Sequence, residues 1–189
     1  MNLGLRGLPA AVARTWRTLV LGNPSGNPRG VGAVEIIAER TNSAQVASGA
    51  DSVAIGSRAK SAGTGAVAAG SSANAAGSNA VAVGGGADAS TTTAVAVGSS
   101  ASATGSSAVA LGVNTIAGGN SAVAVGMNAG ASGGSAVALG VGANATAAGA
   151  VALGLGAGAT GADSLCIRSA SVNNIVGYYA FAHSGDGTA

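Results

Sequence analysis

Between Val53 and Gly154 apolar and small residues recur at a fixed step of fourteen. Valine opens each copy, at Val53, Val67, Val81, Val95, Val109, Val123, Val137 and Val151. Alanine follows every time, then an apolar residue, from Ile55 in the first copy to Leu153 in the last. Glycine closes the group at Gly56, Gly70, Gly84, Gly98, Gly112, Gly126, Gly140 and Gly154. The second half of each copy holds two alanine columns two residues apart, broken only by Thr115 and Ser61. A second glycine column follows them, with Thr91 and Ala147 departing. The unit is V-A-φ-G-x-x-A-x-A-x-G-x-x-(S/A), where φ is apolar. A fixed period of this kind marks a repeat architecture and outranks any local assignment.

Each unit holds two short alternating segments, each closed by glycine. Alternation with period two is the mark of a strand, and valine favours that state. Glycine supplies positive φ in tight turns without steric cost. A disordered Ala/Gly/Ser linker would match the composition, but it gives valine no reason to keep one phase through eight copies. A helix would meet a glycine in each turn, each costing ~1 kcal/mol against alanine. The pattern therefore predicts an all-β parallel β-roll, a solenoid with fourteen-residue coils of two strands and two turns. Coils stacked about 4.8 Å apart make a rod of roughly 40 Å. A coil this narrow admits only small side chains between its strands. Alanine buries little area at ~25 cal/mol per Å², so a single rod is expected to associate laterally.

The stretches Asp51–Gly56 (DSVAIG) and Ser107–Gly112 (SAVALG) carry a family resemblance. They resemble the head repeat of trimeric autotransporter adhesins of the YadA type, over about Gln45 to Arg168. The resemblance implies a left-handed roll and a homotrimer of three chains wound side by side.

Three segments are expected: an attachment module at 1–40, the repeats at 41–168, and a cap and tail at 169–189. In the first, Pro9 and the residues after it read as a helix with proline at its first position. Arg14 and Arg17 interrupt the apolar run that a secretory signal needs. Residues Asn23–Gly30 are turn-rich, and Val31–Ala38 reads as a strand covering the open end of the first coil. Gln45–Gly49 fits the second half of a coil. No stretch approaches the length of a membrane span, so no membrane insertion is expected. The chain departs from a complete autotransporter adhesin in showing no heptad stalk and no C-terminal anchor.

Charge is nearly balanced at +2 but unevenly placed. Arg6, Arg14, Arg17, Arg29 and Arg40 precede the repeats, and between Ala69 and Ala162 only Asp88 is charged. An uncharged rod is poorly suited to nucleic acid, which needs Lys and Arg to meet phosphates. Arg6, Arg14, Trp16 and Arg17 are instead candidates for docking onto another protein.

At the far end Leu165–Ile167 occupies the strand phase of a ninth coil, and Arg168 replaces the turn glycine. Beyond it stand Tyr178, Tyr179 and Phe181, which with Trp16 are all the aromatics of the chain. Aromatics carry much of the energy at protein contacts, so these three form either an end cap or a tip or joint. One column changes character along the rod. After the column glycine come Ser57, Ser71, Gly85 and Ser99, then Val113, Met127, Val141 and Leu155. An apolar stripe at a turn should be covered, either by a neighbouring subunit or by a receptor.

Reactive chemistry is sparse. Cys166, the one cysteine, fills a slot held by alanine in earlier coils and reads as a small buried thiol. Carboxylates are scattered, and His183 stands alone in the tail. No catalytic set, metal cluster or cofactor is expected. Gly156–Gly161 matches G-x-G-x-x-G but opens no helix and lacks the acidic residue downstream. Asn144 and Thr146 form a formal glycosylation acceptor, and Thr91–Thr93 is too isolated for an ice-binding ladder.

The sequence thus predicts a non-enzymatic rod, which the resemblance implies is a homotrimer. Its expected setting is a phage virion, as a fibre, tail spike or capsid decoration, with virion proteins holding the N-terminus and a host-surface receptor as the far partner. The alternative is the head of a bacterial trimeric autotransporter adhesin on the cell surface.

Overall fold

The computed structural model describes residues 33–36 and 46–168. The first strands in chain order are β1 (Val34–Ile36), β2 (Val46–Ala47), β3 (Val53–Ile55) and β4 (Lys60–Ser61). From there three-residue and two-residue strands alternate up to β17 (Val151–Leu153), β18 (Gly158–Ala159) and β19 (Leu165–Ile167). Among the described residues there is no helix. Odd-numbered strands form one ten-stranded parallel sheet and even-numbered strands a nine-stranded one. Two strands and two turns thus make one coil, as the alternation predicts.

Register is uniform. Val53 pairs with Val67, Ala54 with Ala68 and Ile55 with Ala69, and the same step continues to Val151 against Leu165. The second sheet keeps it too, with Val46 against Lys60. The N-terminal rung differs: Val34 of β1 pairs with Val53, nineteen residues on rather than fourteen. Among the described residues the ladder therefore begins at Val34, within the stretch Val31–Ala38 expected to lie over the first coil.

The core between the sheets is a stack of alanine. Ala96, Ala101, Ala103 and Ala108 of one coil are all fully buried, and so are their equivalents along the rod. Two sheets close enough to bury a methyl group have no room for more, which explains why these columns admit Ala, Ser, Thr or Cys. Cys166 is a buried free thiol opposite Ala152. Thr115 fits by donating its Oγ1 hydrogen to the Gly126 carbonyl at 2.6 Å. Ser61 keeps a buried Oγ with no hydrogen-bond partner.

Both turns repeat in every coil. In the first, the Ala73 amide donates to the Gly70 carbonyl at 3.2 Å; in the second, the Ala80 amide donates to Gly77 at 3.1 Å. Each turn has positive φ at its third residue, the type II pattern. In the first turn these are Arg58, Ser72, Gly86, Ser100, Asn114, Asn128, Gly142 and Gly156. In the second they run from Asp51 to Asp163 and include Thr93, a β-branched residue at φ 54. The ladder holds them there: the Ser72 amide donates to Ser57 at 2.8 Å and the Asn128 amide to Val113 at 3.0 Å. Backbone pairing runs through the turns as well as the strands.

The two glycine columns have different causes. The first, Gly56 to Gly154, has φ from 110 to 143, as a turn glycine should. The second lacks positive φ. At Gly63, Gly77, Gly105, Gly119 and Gly133 a Cβ would collide with the backbone carbonyl one coil further on. Amides of this column donate across to the next coil, Gly105 to Ala117 and Gly119 to Ala131, both at 3.3 Å. No equivalent bond is found at Thr91 or Ala147, the two inner members of the column that carry a Cβ. The second glycine is therefore a close-approach residue, and the expectation that both columns serve positive φ is corrected.

Candidate functional site

A strand buries alternate residues, and the coils use that alternation to make two unlike outer faces. On the ten-stranded sheet the middle alanine points inward, so the valine and φ columns point out. From Val53 to Ile167 every one of these outward residues is apolar. The valines from Val53 to Val151 are half-buried. Ile55, Val83, Val97, Leu111, Leu139 and Ile167 are all more than a third exposed. Patches larger than a few hundred Å² are rare on monomeric proteins, and this one runs the full length of the rod.

The nine-stranded sheet presents a polar, mixed column: Lys60, Asn74, Asp88, Ser102, Ile116, Gly130, Asn144 and Gly158. Asn74 Nδ2 donates to Asp88 Oδ1 at 2.6 Å, one coil away. On the neighbouring turn Thr93 and Ser107 share a hydroxyl hydrogen bond of 2.8 Å. The rod is therefore amphipathic across its thickness, with a dry face and a wet one.

The stripe of Val113, Met127, Val141 and Leu155 occupies the second residue of the first turn in four successive coils. Their exposures are 45, 49, 43 and 52 %, among the highest of the large apolar side chains described. Backbone pairing fixes this column, since the carbonyls of Val113, Met127 and Val141 each accept from the next coil at 2.9–3.0 Å. The side chains are left to face outward. In the C-terminal half they lie alongside the φ column and widen the apolar surface from two columns to three.

The structure brings the column glycines and the stripe together on one edge of the rod. Arg6, Arg14, Trp16 and Arg17 lie outside the described residues, as do Tyr178, Tyr179 and Phe181, the expected N-terminal helix and the turn-rich linker. Gly156–Gly161 runs through a turn and β18, and the next described element is a strand, β19. Asn144 and Thr146 are both exposed. Among the described residues no three His, Cys, Asp or Glu side chains cluster to hold a metal ion. The dry sheet face was legible only in part: the valine period marks the strand, but which of its alternating residues faces out depends on the second sheet.

A family model described as the YadA head domain repeat (2 copies) matches residues 47–73, 75–101, 103–129 and 131–157. Each match spans nearly two coils, and together they cover more than half of the chain. No curated protein matches the chain.

Proposed function

The chain belongs to the YadA head-repeat family, and from that premise we propose that it is a homotrimeric rod which displays a contact surface away from its anchor. Heads of this family are surface-exposed, trimeric units of adhesin type, and both family and fold are typical of non-enzymatic proteins. The carrying observation is the dry face of the ten-stranded sheet. It is continuous from Val53 to Ile167, charge-free and as long as the rod. A homo-oligomer with closed symmetry removes such a face from water completely. Three copies, each turning its ten-stranded sheet to a common axis, leave the three polar sheets outside. In this reading the rod supplies reach and surface, and performs no reaction of its own.

The setting we propose is a phage particle, as a fibre, spike or capsid decoration. Support comes from the partition of charge: five arginines against Glu35 and Glu39 lie in the first forty residues, ahead of a rod whose only charge between Ala69 and Ala162 is Asp88. Such a partition suits a segment that docks electrostatically and a rod that stands clear. Arg6, Arg14, Arg17 and Trp16 are the docking residues of this proposal, with virion proteins as their partners. The second reading is a bacterial adhesin head on the cell surface, and the family match is compatible with either setting.

Light scattering on the purified chain tests the assembly: three times the 17.1 kDa chain mass is expected, and a monomer at micromolar concentration refutes it. Electron microscopy of the source particle with a label on residues 1–32 tests the setting. Label against the particle wall agrees with docking by the N-terminus; label at the distal end overturns it.

A further inference from the structure

The stripe has a counterpart on the other edge of the rod. It holds the second residue of the first turn. The second residue of the other turn runs Thr64, Ser78, Thr92, Ser106, Asn120, Gly134, Ala148 and Ala162, all exposed. In the first four coils the two columns are polar or glycine together: Ser57 with Thr64, Ser71 with Ser78, Gly85 with Thr92, Ser99 with Ser106. In the last three they change together. Met127 stands level with Gly134, Val141 with Ala148 and Leu155 with Ala162, a large apolar side chain on one edge and almost none on the other. Val113, level with Asn120, marks the changeover. There Asn120 Oδ1 accepts from the Ser106 amide at 3.1 Å, which turns that side chain back towards the preceding coil. The coil does not itself require a small residue on this edge, since a Cβ on Gly134 would meet nothing within 4 Å.

We propose that these two edges are the halves of one contact between copies of this chain. Met127, Val141 and Leu155 of one copy pack over Gly134, Ala148 and Ala162 of the next. The proposal rests on the homotrimer reading above and adds the seam that closes it. Three observations make a second copy the occupant. First, the edges match coil by coil. Rotation about an axis parallel to the rod leaves every coil at its own height, so the first turn of a coil meets the second turn of the same coil next door. Unlike surfaces paired in this way close into a ring. Second, the dry sheet face is too small alone. Ten strands of three residues make a face of roughly 480 Å², at about 4.8 Å per strand and 3.3 Å per residue. Shared between two neighbours, even twice that area falls short of the ~800 Å² each partner gives to a stable interface, so the turn edges must enter the contact. Third, no charge is trapped. The six residues are uncharged, and Asp163, next to Ala162, lies back along the rod with its carboxyl against Gly149. The seam is confined to the C-terminal half and adds to what the dry faces hold.

The test is disulfide trapping in the full chain, with Cys166→Ala as the background because alanine already fills that column. Val141→Cys is combined with Ala148→Cys. At least about 10 Å of strand separates these positions within one coil, beyond the reach of a disulfide, so any link joins two copies. The control is Val141→Cys with Ser106→Cys, whose positions stand three coils apart in height. The expected product is three chains linked in a closed ring, formed at least about tenfold faster than any link in the control, since contact raises the local thiol concentration. No link, equal rates in both pairs, or a link from Val141→Cys alone overturns the proposal. Exchange of size gives a second readout. Ala148→Leu should raise the concentration at which the oligomer comes apart by at least about tenfold, as overpacking does. Adding Val141→Ala should restore most of that loss. Unchanged assembly in Ala148→Leu, or no rescue by Val141→Ala, also overturns the proposal. The mass of the Cys166→Ala parent keeps the two readings apart. A trimer without the link refutes the seam and leaves the homotrimer standing, whereas a monomer refutes both.

Discussion

Gly119 provides the sharpest test of why this chain repeats as it does. Its φ is not positive, so Gly119→Ala asks for no strained backbone. The added Cβ would instead collide with the carbonyl carbon and oxygen of Gly133 and lie 2.9 Å from the Gly134 amide nitrogen. Relief requires the two coils to part locally. That movement breaks the 3.3 Å bond from the Gly119 amide to Ala131, as has happened at Thr91 and Ala147. One backbone hydrogen bond is worth about 1 kcal/mol, and crowding in a packed interior costs about 1–3 kcal/mol. Because the chain already tolerates two such residues, the lower part of that range applies, and we expect a loss of about 2 kcal/mol. Gly119→Asn should cost as much or more, since it carries the same Cβ. Gly142 is the opposite case: φ is +65 and a Cβ there meets nothing within 4 Å. Gly142→Asn should be nearly neutral, as Asn128 already holds that column, while Gly142→Ala should cost about 1 kcal/mol for left-handed backbone. Urea midpoints at one fixed protein concentration measure all four, because mass action shifts the stability of an oligomer. If Gly119→Asn is milder than Gly119→Ala, or if both stay within about 0.5 kcal/mol of the parent, the close-approach account is wrong.

Further outcomes follow from the same geometry. Ser61→Ala restores the column residue and removes a buried hydroxyl without a partner, so stability should rise by about 1 kcal/mol in the same titration. Ala110→Leu forces a long side chain into a fully buried alanine slot and should cost at least about 3 kcal/mol, read as loss of the strand signal at lower temperature. Val97→Asp with Leu111→Asp places carboxylates on the dry face. Self-association should weaken by at least about a hundredfold, or ~2.7 kcal/mol, by sedimentation. An unchanged mass for this pair would remove the ten-stranded sheet from the interface.

Much of the fold was legible because identical residues recur at one spacing. Val53 to Val151 fixed the phase, and the strands fall on it. A strand within Val31–Ala38 laid on the first coil was legible; its register, Val34 against Val53 across nineteen residues, was not, because a single irregular coil carries no period. Nor were the left-handed turn positions. Ser72, Thr93 and Arg58 have no preference for positive φ, and it is the ladder above and below that imposes it. The second glycine column was visible as glycine, but its reason lies in a carbonyl fourteen residues away in sequence and one coil away in space. The stripe was visible as a change of residue type; its exposure needed coordinates.

The uniform register has a consequence for how such a chain changes over time. Because both sheets step by fourteen together, gaining or losing one unit moves every later residue onto its own column again. Inner methyls still meet methyls, and the dry face stays dry. Length can thus drift in increments of about 4.8 Å, leaving either end untouched. The rod behaves as a ruler whose graduations can be added or struck out one at a time.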